Sequence, residues 1–168
     1  MKMLKVIVLL ITAIVFSQAS NDYKYDQDIH NAIRNNNVDA MKFLLSNSPE
    51  YLNEKDNYGY TPLHLAVRKG DIEIVKYLLS LKPDLNTQDK FGDTPLIDSA
   101  RNNNIEISKI LICSGAKQNI ENNDNKIALD YISENKQYET ALFFKKPECG
   151  GNNDDNKKEL IEKLRKLQ

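Results

Sequence analysis

The chain contains two copies of one segment, the first beginning at residue 60 and the second at residue 93. Residues 60–66 read Tyr-Thr-Pro-Leu-His-Leu-Ala, and residues 93–99 read Asp-Thr-Pro-Leu-Ile-Asp-Ser. The residues that follow also correspond, since both copies continue with arginine and then with Ile-Glu-Ile. A period of about 33 residues is typical of proteins built as a row of small units, each of which covers an apolar face of the next. The sequence therefore predicts a repeat architecture and directs the search for function towards a binding surface.

Within one unit, the pattern predicts two helices joined by a tight turn. Thr61 is a favourable N-cap residue, and Pro62 suits the first helical position because an N–H there would have no helical partner. Gly70 can end the first helix in the left-handed conformation, and Asp71 can cap the second. Apolar residues follow at helical spacing on both segments. The unit is therefore predicted to be all-α.

The other copies carry asparagine at the turn between the two helices. Residues 36–37 and 103–104 are Asn-Asn and occupy the positions of Gly-Asp at 70–71. Asparagine tolerates the left-handed region better than most residues, and it is also a good N-cap. These tracts are therefore predicted to be interhelical turns. The alternative is a disordered, asparagine-rich tract.

Four units can be placed along the chain, at about residues 25–54, 55–87, 88–120 and 121–146. The unit with Thr-Pro-Leu-His at 61–64, Gly-Asp-Ile-Glu-Ile-Val at 70–75 and Leu-Leu at 78–79 resembles the ankyrin repeat family. The resemblance covers a domain within residues 22–146. It implies an all-α solenoid of about four L-shaped helix–turn–helix units, whose hairpin-like loops project into a concave surface. It also implies a module without catalysis or a cofactor that binds another protein.

The resemblance places the binding surface on the loop tips and on the exposed side of each first helix. Aromatic residues and arginine, which are enriched at interface hot spots, occur at these positions. The predicted protein-binding residues are Tyr58, Tyr60, Arg68, Lys69, Lys90, Phe91, Asp93, Arg101 and Lys126. The alternative is structural, with the rings covering neighbouring loops and the arginines lying near helix C-termini.

The chain has two histidines, His30 and His64. The resemblance implies that His64 hydrogen-bonds the loop of its own unit and of the next unit. Two histidines without a third candidate are too few for a catalytic or metal site, and no glycine-rich phosphate loop occurs. The sequence therefore predicts no enzyme and no metal. The alternative is a small-molecule or haem carrier that uses His30 with a tyrosine.

Residues 1–19 are predicted to be a signal peptide. Lys2 and Lys5 precede an apolar stretch at 6–16, and Ser-Gln-Ala at 17–19 places small residues where a signal peptidase cleaves. The stretch is shorter than the roughly 20 residues that span a membrane, so no stable insertion is expected after cleavage. The alternative is an uncleaved anchor. The absence of an Asn-x-Ser/Thr acceptor favours a bacterial origin. The protein is then expected in the periplasm or outside the cell.

Cleavage would leave 21 basic and 24 acidic residues, a net charge of −3, which argues against nucleic acid as a partner. The remaining length suits a single domain, and we expect a monomer. In an oxidising compartment, Cys113 and Cys149 could form a disulfide, because they end neighbouring units. The alternative is two unrelated thiols.

Residues 150–168 are predicted to be a linker followed by an amphipathic helix. This helix could close the end of the row of units, or it could bind a partner or a membrane surface. Taken together, the sequence predicts an exported adaptor, inhibitor, immunity factor or enzyme accessory that binds another protein. A secreted effector that binds a host protein is the alternative.

Overall fold

The computed structural model describes residues 28–134 and 138–145, together with Pro147 and Cys149. The predicted signal peptide and the predicted C-terminal helix lie outside the described residues. The chain divides into two compact units, residues 1–51 and 52–168. Across the described ranges every regular element is a helix, and there is no strand. None of the helices there is long and apolar enough to cross a membrane.

The described part of the first unit is a helix pair, α1 (Ile29–Arg34) and α2 (Val38–Asn47). The Asp28 side chain caps α1, and the Asn37 side chain caps α2 by accepting a hydrogen bond from the N–H of Ala40 at 3.0 Å. Between the helices, Asn36 has a φ of 57°, in the left-handed region. A short 3₁₀ helix (Pro49–Asn53) follows α2.

The second unit contains three further helix pairs in its described part. They are α3 (Pro62–Lys69) with α4 (Ile72–Ser80), α5 (Pro95–Arg101) with α6 (Ile105–Cys113), and α7 (Ala128–Glu134) with α8 (Tyr138–Lys145). Helix α5 packs between α3 and α7, and α6 packs between α4 and α8. We call α3, α5 and α7 the inner helices, and α4, α6 and α8 the outer helices. The predicted all-α repeat architecture is confirmed.

The inner helices begin at the predicted caps. Thr61 and Thr94 each accept a hydrogen bond from the N–H three residues later, and a proline occupies the next position of each helix. Gly70 follows α3 with a φ of 75°, and Asn103 follows α5 with a φ of 60°. The predicted interhelical turns are therefore confirmed at both asparagine tracts, because asparagine adopts the backbone conformation that glycine adopts in the second repeat.

Apolar side chains fill the space between the helix pairs. The largest buried ones in the second unit include Leu63, Leu78, Leu96, Ile107, Leu111 and Ile132. Full burial of one such side chain contributes about 1.5–3 kcal/mol, so this layer is the main source of stability. The inner helices are short, at 7 or 8 residues, and depend on this packing because isolated helices of that length do not form in water.

A disulfide joins the ends of two outer helices. Cys113 is the last residue of α6, and its sulfur is bonded to that of Cys149, beyond α8. The two Cα atoms are 5.4 Å apart, within the usual range for disulfides. The bond closes a loop with a sequence separation of 36 residues, so it links the third repeat to the fourth.

Candidate protein-binding surface

Three loops of the same construction, which we call fingers, precede the inner helices. The fingers are residues 56–60, 89–93 and 122–126. The first residue of each finger accepts hydrogen bonds through its side-chain oxygen from the N–H groups two and four residues later, at 2.8 to 3.0 Å. Aspartate and asparagine favour such turns because their short side chains reach the following backbone. Asp56, Asp89 and Asn122 therefore set the shape of the fingers.

Successive fingers lie against one another through their backbones. The N–H of Lys90 donates to the carbonyl of Tyr58, and the N–H of Asn123 donates to that of Phe91, both at 3.0 Å. A Cβ atom at Gly59 would lie 2.9 Å from the Lys90 nitrogen, and one at Gly92 would lie 2.7 Å from the Asn123 nitrogen. Glycine is therefore required at both positions, and the fingers form a row with fixed spacing.

The tips of the first two fingers carry exposed aromatic rings. Tyr58 and Phe91 occupy equivalent positions in consecutive repeats, and they are 60% and 55% exposed. The Tyr58 ring centre lies 6.0 Å from that of Tyr60, which is half-buried. In the third finger the equivalent position is Asp124, which is exposed. More than half of the surface of Tyr58 and of Phe91 is therefore open to solvent.

Polar side chains meet at the junctions between repeats, at four equivalent positions. The second–third junction consists of Tyr60, Arg68, Asp89 and Asp98, and the third–fourth junction consists of Asp93, Arg101, Asn122 and Tyr131. Each member of the second set lies one repeat after its counterpart in the first set. In both sets the arginine comes from an inner helix and lies between its own repeat and the next.

At the second–third junction, Arg68 contacts a carboxylate and an aromatic ring. Its Nη1 donates to Asp98 Oδ1 at 2.7 Å, and its guanidinium carbon lies 4.6 Å from the centre of the Tyr60 ring. The Asp98 side chain is fully buried, whereas that of Arg68 is 38% exposed. Arg68 therefore neutralises a buried charge and still reaches the surface.

At the third–fourth junction the finger supplies the carboxylate, Asp93, and the next inner helix supplies the ring, Tyr131, which reverses the arrangement at the second–third junction. Arg101 donates to Asp93 Oδ1 and to the Tyr131 hydroxyl, both at 2.9 Å, and forms an ion pair with the other Asp93 oxygen. Its guanidinium carbon lies 4.8 Å from the centre of the Tyr131 ring. Asn122 completes the set, because its Nδ2 donates to Asp93 Oδ1 at 2.7 Å and to the Tyr131 hydroxyl at 2.9 Å.

This geometry corrects one of the predicted binding residues. Asp93 was expected to be a surface contact at a loop tip, but it is fully buried and bonded to Arg101 and Asn122. It ends a finger, and its side chain turns inward because a guanidinium and an amide bind it there. Asp93 is therefore a structural carboxylate.

The other predicted residues lie on the fingers and on the inner helices of the second unit. Tyr58, Arg68, Lys69, Lys90 and Phe91 are exposed. Tyr60, Arg101 and Lys126 are partly buried, and the Lys126 ammonium lies 5.2 Å from the centre of the Tyr131 ring. We call the fingers together with the exposed side of the inner helices the finger face.

The two junctions differ in their charge balance. Burial raises the pKa of Asp98 to about 7, although the Arg68 guanidinium opposes the shift, and the carboxylates of Asp93 and Asp89 increase it. The Oδ2 atoms of Asp89, Asp93 and Asp98 are all buried without a hydrogen-bond partner, but that of Asp93 forms an ion pair with Arg101. At the third–fourth junction the amide of Asn122 replaces the second carboxylate. The second–third junction therefore holds a surplus of buried negative charge.

His64 joins two repeats, as the resemblance implied. Its Nε2 lies 3.1 Å from the Asp93 carbonyl oxygen, and its Nδ1 lies 3.2 Å from the Thr61 nitrogen. Because a carbonyl oxygen can only accept, Nε2 carries the hydrogen and Nδ1 accepts from the Thr61 N–H. Burial lowers the pKa of His64 to about 4, so the ring is neutral. This histidine is structural.

His30 is also buried, and its Nδ1 lies 2.9 Å from Asp28 Oδ1, at the start of α1. Within the described ranges, no group of three or more histidines, cysteines, aspartates and glutamates is placed to hold a metal ion.

The sequence interpretation missed four junction residues, namely Asp89, Asp98, Asn122 and Tyr131. A signal for them exists in the register of the repeats. Arg68 has a tyrosine eight residues before it and an aspartate 30 residues after it. Arg101 has the reverse, with an aspartate eight residues before it and a tyrosine 30 residues after it. A partner in the next repeat is visible only when the repeats are aligned.

Comparison with known proteins identifies the family. A family model for ankyrin repeats, in three copies, matches residues 4–89 and residues 80–157. A search of curated proteins found no match. Ankyrin repeats generally mediate protein–protein interactions, and proteins built from them are typically modules without enzymatic activity. With these matches covering most of its length and its helix pairs recurring in a constant register, the chain belongs to the ankyrin repeat family.

Proposed function

We propose that this protein is an exported module that binds one partner protein on its finger face. The observation that carries the proposal is the pair of exposed rings, Tyr58 and Phe91, at the tips of adjacent fingers. Their spacing is fixed by the backbone bonds between the fingers, so a partner would meet a surface that is already in place. Rigid aromatic side chains lose little entropy on binding, which favours their use as contact residues.

Export rests on the predicted signal peptide, and the disulfide between Cys113 and Cys149 agrees with an oxidising compartment. In the periplasm, such a module would act as an adaptor, an inhibitor or immunity factor, or an accessory of an exported enzyme.

The second candidate is a secreted effector that binds a host protein, and the same signal peptide could also direct the export of an effector. Fractionation separates them, because a resident module is released with the periplasmic contents and an effector is found in the medium or in host material.

Photo-crosslinking in the native host tests the proposed surface. A photoreactive phenylalanine analogue is placed at position 58 or at position 91, where the native side chains are already aromatic and exposed. The matched control carries it at Lys76, on the exposed side of the outer helix α4. We expect the same partner protein, identified by mass spectrometry, to be crosslinked from positions 58 and 91 and not from position 76.

A partner that crosslinks only from position 76 would place the interaction on the outer helices and would contradict the proposal. A haem or other small molecule that copurifies in stoichiometric amount, with no crosslinked protein, would instead favour the carrier function.

A further inference from the structure

We infer that the partner segment that docks on the second and third repeats is acidic and carries an apolar anchor side chain. The inference rests on the proposed function and adds the chemistry of the partner. It follows from the direction in which the charged side chains of the finger face point.

The cations of this part of the finger face point outward. Residues 55–69 and 88–101 contain five basic side chains, which are Lys55, Arg68, Lys69, Lys90 and Arg101. The first four of them are exposed, and the side chain of Arg101 is 35% exposed. Lys90 immediately precedes Phe91 in the second finger, so an exposed cation and an exposed ring occupy consecutive positions.

The carboxylates of the same residues point inward. Asp93 and Asp98 are fully buried, Asp89 is 8% exposed, and Asp56 is half-buried. Oδ1 of Asp56 and of Asp89 accepts two backbone N–H groups of its own finger. The nearly balanced composition of these residues therefore produces a surface that presents mainly positive charge to a partner. Exposed carboxylates of a partner would gain favourable interactions there.

The fourth repeat has the opposite character, which fixes the position of the acidic segment. In its finger and the inner helix that follows, residues 121–133, Glu121, Asp124 and Asp130 are exposed, and the one lysine there, Lys126, is half-buried beside Tyr131. An acidic segment that slid towards the fourth repeat would meet like charges. The charge of the finger face therefore changes along its length. It is positive at the second and third repeats and negative at the fourth.

The aromatic tips supply the apolar part of the site. Tyr58 and Phe91 lie one repeat apart, and the equivalent position in the next finger is the exposed Asp124. An apolar side chain of the partner can be covered by these two rings while carboxylates on either side reach the lysines. Two repeats extend over about 20 Å, twice the diameter of a helix, so about six extended residues would cover this part of the face.

Selection from a displayed library of random peptides of about twelve residues, which exceeds the estimated footprint, tests the inference on the full, oxidised chain. We expect the selected peptides to be enriched in aspartate and glutamate around an aromatic or aliphatic residue. Binding of a synthesised selected peptide should weaken about tenfold in the Lys69→Glu/Lys90→Glu variant and should weaken as the salt concentration rises. It should weaken similarly in Tyr58→Ser/Phe91→Ser.

Two variants serve as matched controls. Lys76→Glu/Lys117→Glu makes the same charge change at exposed positions outside the finger face, and Asp124→Ser changes the equivalent tip of the third finger. Both should bind the peptide within about twofold of the unmodified chain, because neither removes a cation or a ring from the site. Circular dichroism shows whether each variant keeps its helices.

The possible failures are distinguishable. If the selected peptides are neutral or basic, and Tyr58→Ser/Phe91→Ser no longer binds them, the inference of an acidic partner segment is wrong. The proposed finger face would then still stand. Acidic peptides that bind all variants equally would place the site elsewhere and overturn both proposals. A selection without enrichment overturns the inference alone, since the crosslinking experiment tests the finger face independently.

Discussion

At the scale of single residues, the turn between α5 and α6 depends on one backbone conformation. Asn103 has a φ of 60°, while its neighbour Asn102 has a φ of −80°. We predict that Asn103→Ala lowers the free energy of unfolding by about 1 kcal/mol, because a Cβ is unfavourable in the left-handed region unless the side chain is asparagine or aspartate. Asn103→Gly should cost less than Asn103→Ala, since glycine occupies the same position in the second repeat. Urea unfolding measures both changes.

The matched control for this prediction is Asn102→Ala. It removes the same side chain from the adjacent exposed position, where the backbone is already in a region that alanine adopts readily. An equal loss of stability from Asn102→Ala and Asn103→Ala would show that the amide group, and not the backbone conformation, accounts for the effect.

Two buried titratable residues give opposing dependences of stability on pH. Asp98 has a pKa of about 7 in the folded chain against 3.8 ordinarily, so the folded state binds the extra proton between those values. Its contribution to the free energy of unfolding therefore rises as the pH falls through 7. His64 has a pKa of about 4 against 6.5 ordinarily, so the unfolded state binds the extra proton. Its contribution falls as the pH falls below 6.5.

We predict that Asp98→Asn reveals the His64 effect. The variant cannot gain a proton at position 98, so its stability should fall more steeply than that of the unmodified chain between pH 7 and pH 5. Urea unfolding at several pH values gives the two profiles. Glu73→Gln, at a side chain that is 89% exposed, is the control and should follow the unmodified chain. Parallel profiles for Asp98→Asn and the unmodified chain would contradict the prediction.

At the scale of elements, the junctions show why asparagine replaces aspartate in the third finger. Asn122 donates to the buried Asp93 carboxylate at 2.7 Å, and a carboxylate at position 122 would repel it. We predict that Asn122→Asp lowers the free energy of unfolding by about 2–3 kcal/mol, because it removes a buried donor and adds a buried like charge. Asn123→Asp, at the exposed next residue, should have a much smaller effect.

A second substitution tests the cause. In Asn122→Asp/Asp93→Asn, the donor and the carboxylate exchange positions, and Arg101 can still pair with an acidic residue across the junction. We expect this variant to recover part of the lost stability in thermal unfolding. If the second substitution instead adds to the loss, repulsion between the two carboxylates is not the reason for asparagine at this position.

The elements were predictable because their signals are local. The caps at Thr61 and Thr94, and the left-handed turns at Asn36 and Asn103, depend on residues within one or two helical turns. The junctions were not predicted, because Arg68 pairs with a carboxylate 30 residues later, in another repeat. For the same reason Asp93 was assigned to the surface, since nothing in its own finger shows that Arg101 and Asn122 bind it.

At the scale of the whole molecule, the sequence pattern predicted the repeat architecture and one face for a partner. The register of the repeats is sufficient for this because every unit needs a neighbour to cover its apolar side. The positive charge that the finger face exposes at the second and third repeats could not be predicted from composition, since acidic and basic residues occur there in similar numbers. It arises from which of them are buried, and burial is a property of the assembled repeats.

Formation of the disulfide should depend on export of the protein. If residues 1–19 direct export, the processed protein begins at Ser20 and forms the bond between Cys113 and Cys149 in an oxidising compartment. A variant without residues 2–19 should stay in the reducing cytosol with two free thiols. We expect a maleimide reagent to label the two cysteines of this variant under denaturing conditions and neither cysteine of the processed protein.

The stability of the two forms should then differ. The disulfide closes a separation of 36 residues, so the exported form should be more stable to urea by about 3–4 kcal/mol, and reductant should remove this difference. Cys113→Ser/Cys149→Ser is the matched control and should be insensitive to reductant in both compartments. Full-length protein that keeps Met1 and carries two reactive thiols would contradict export, because neither processing nor oxidation would have occurred.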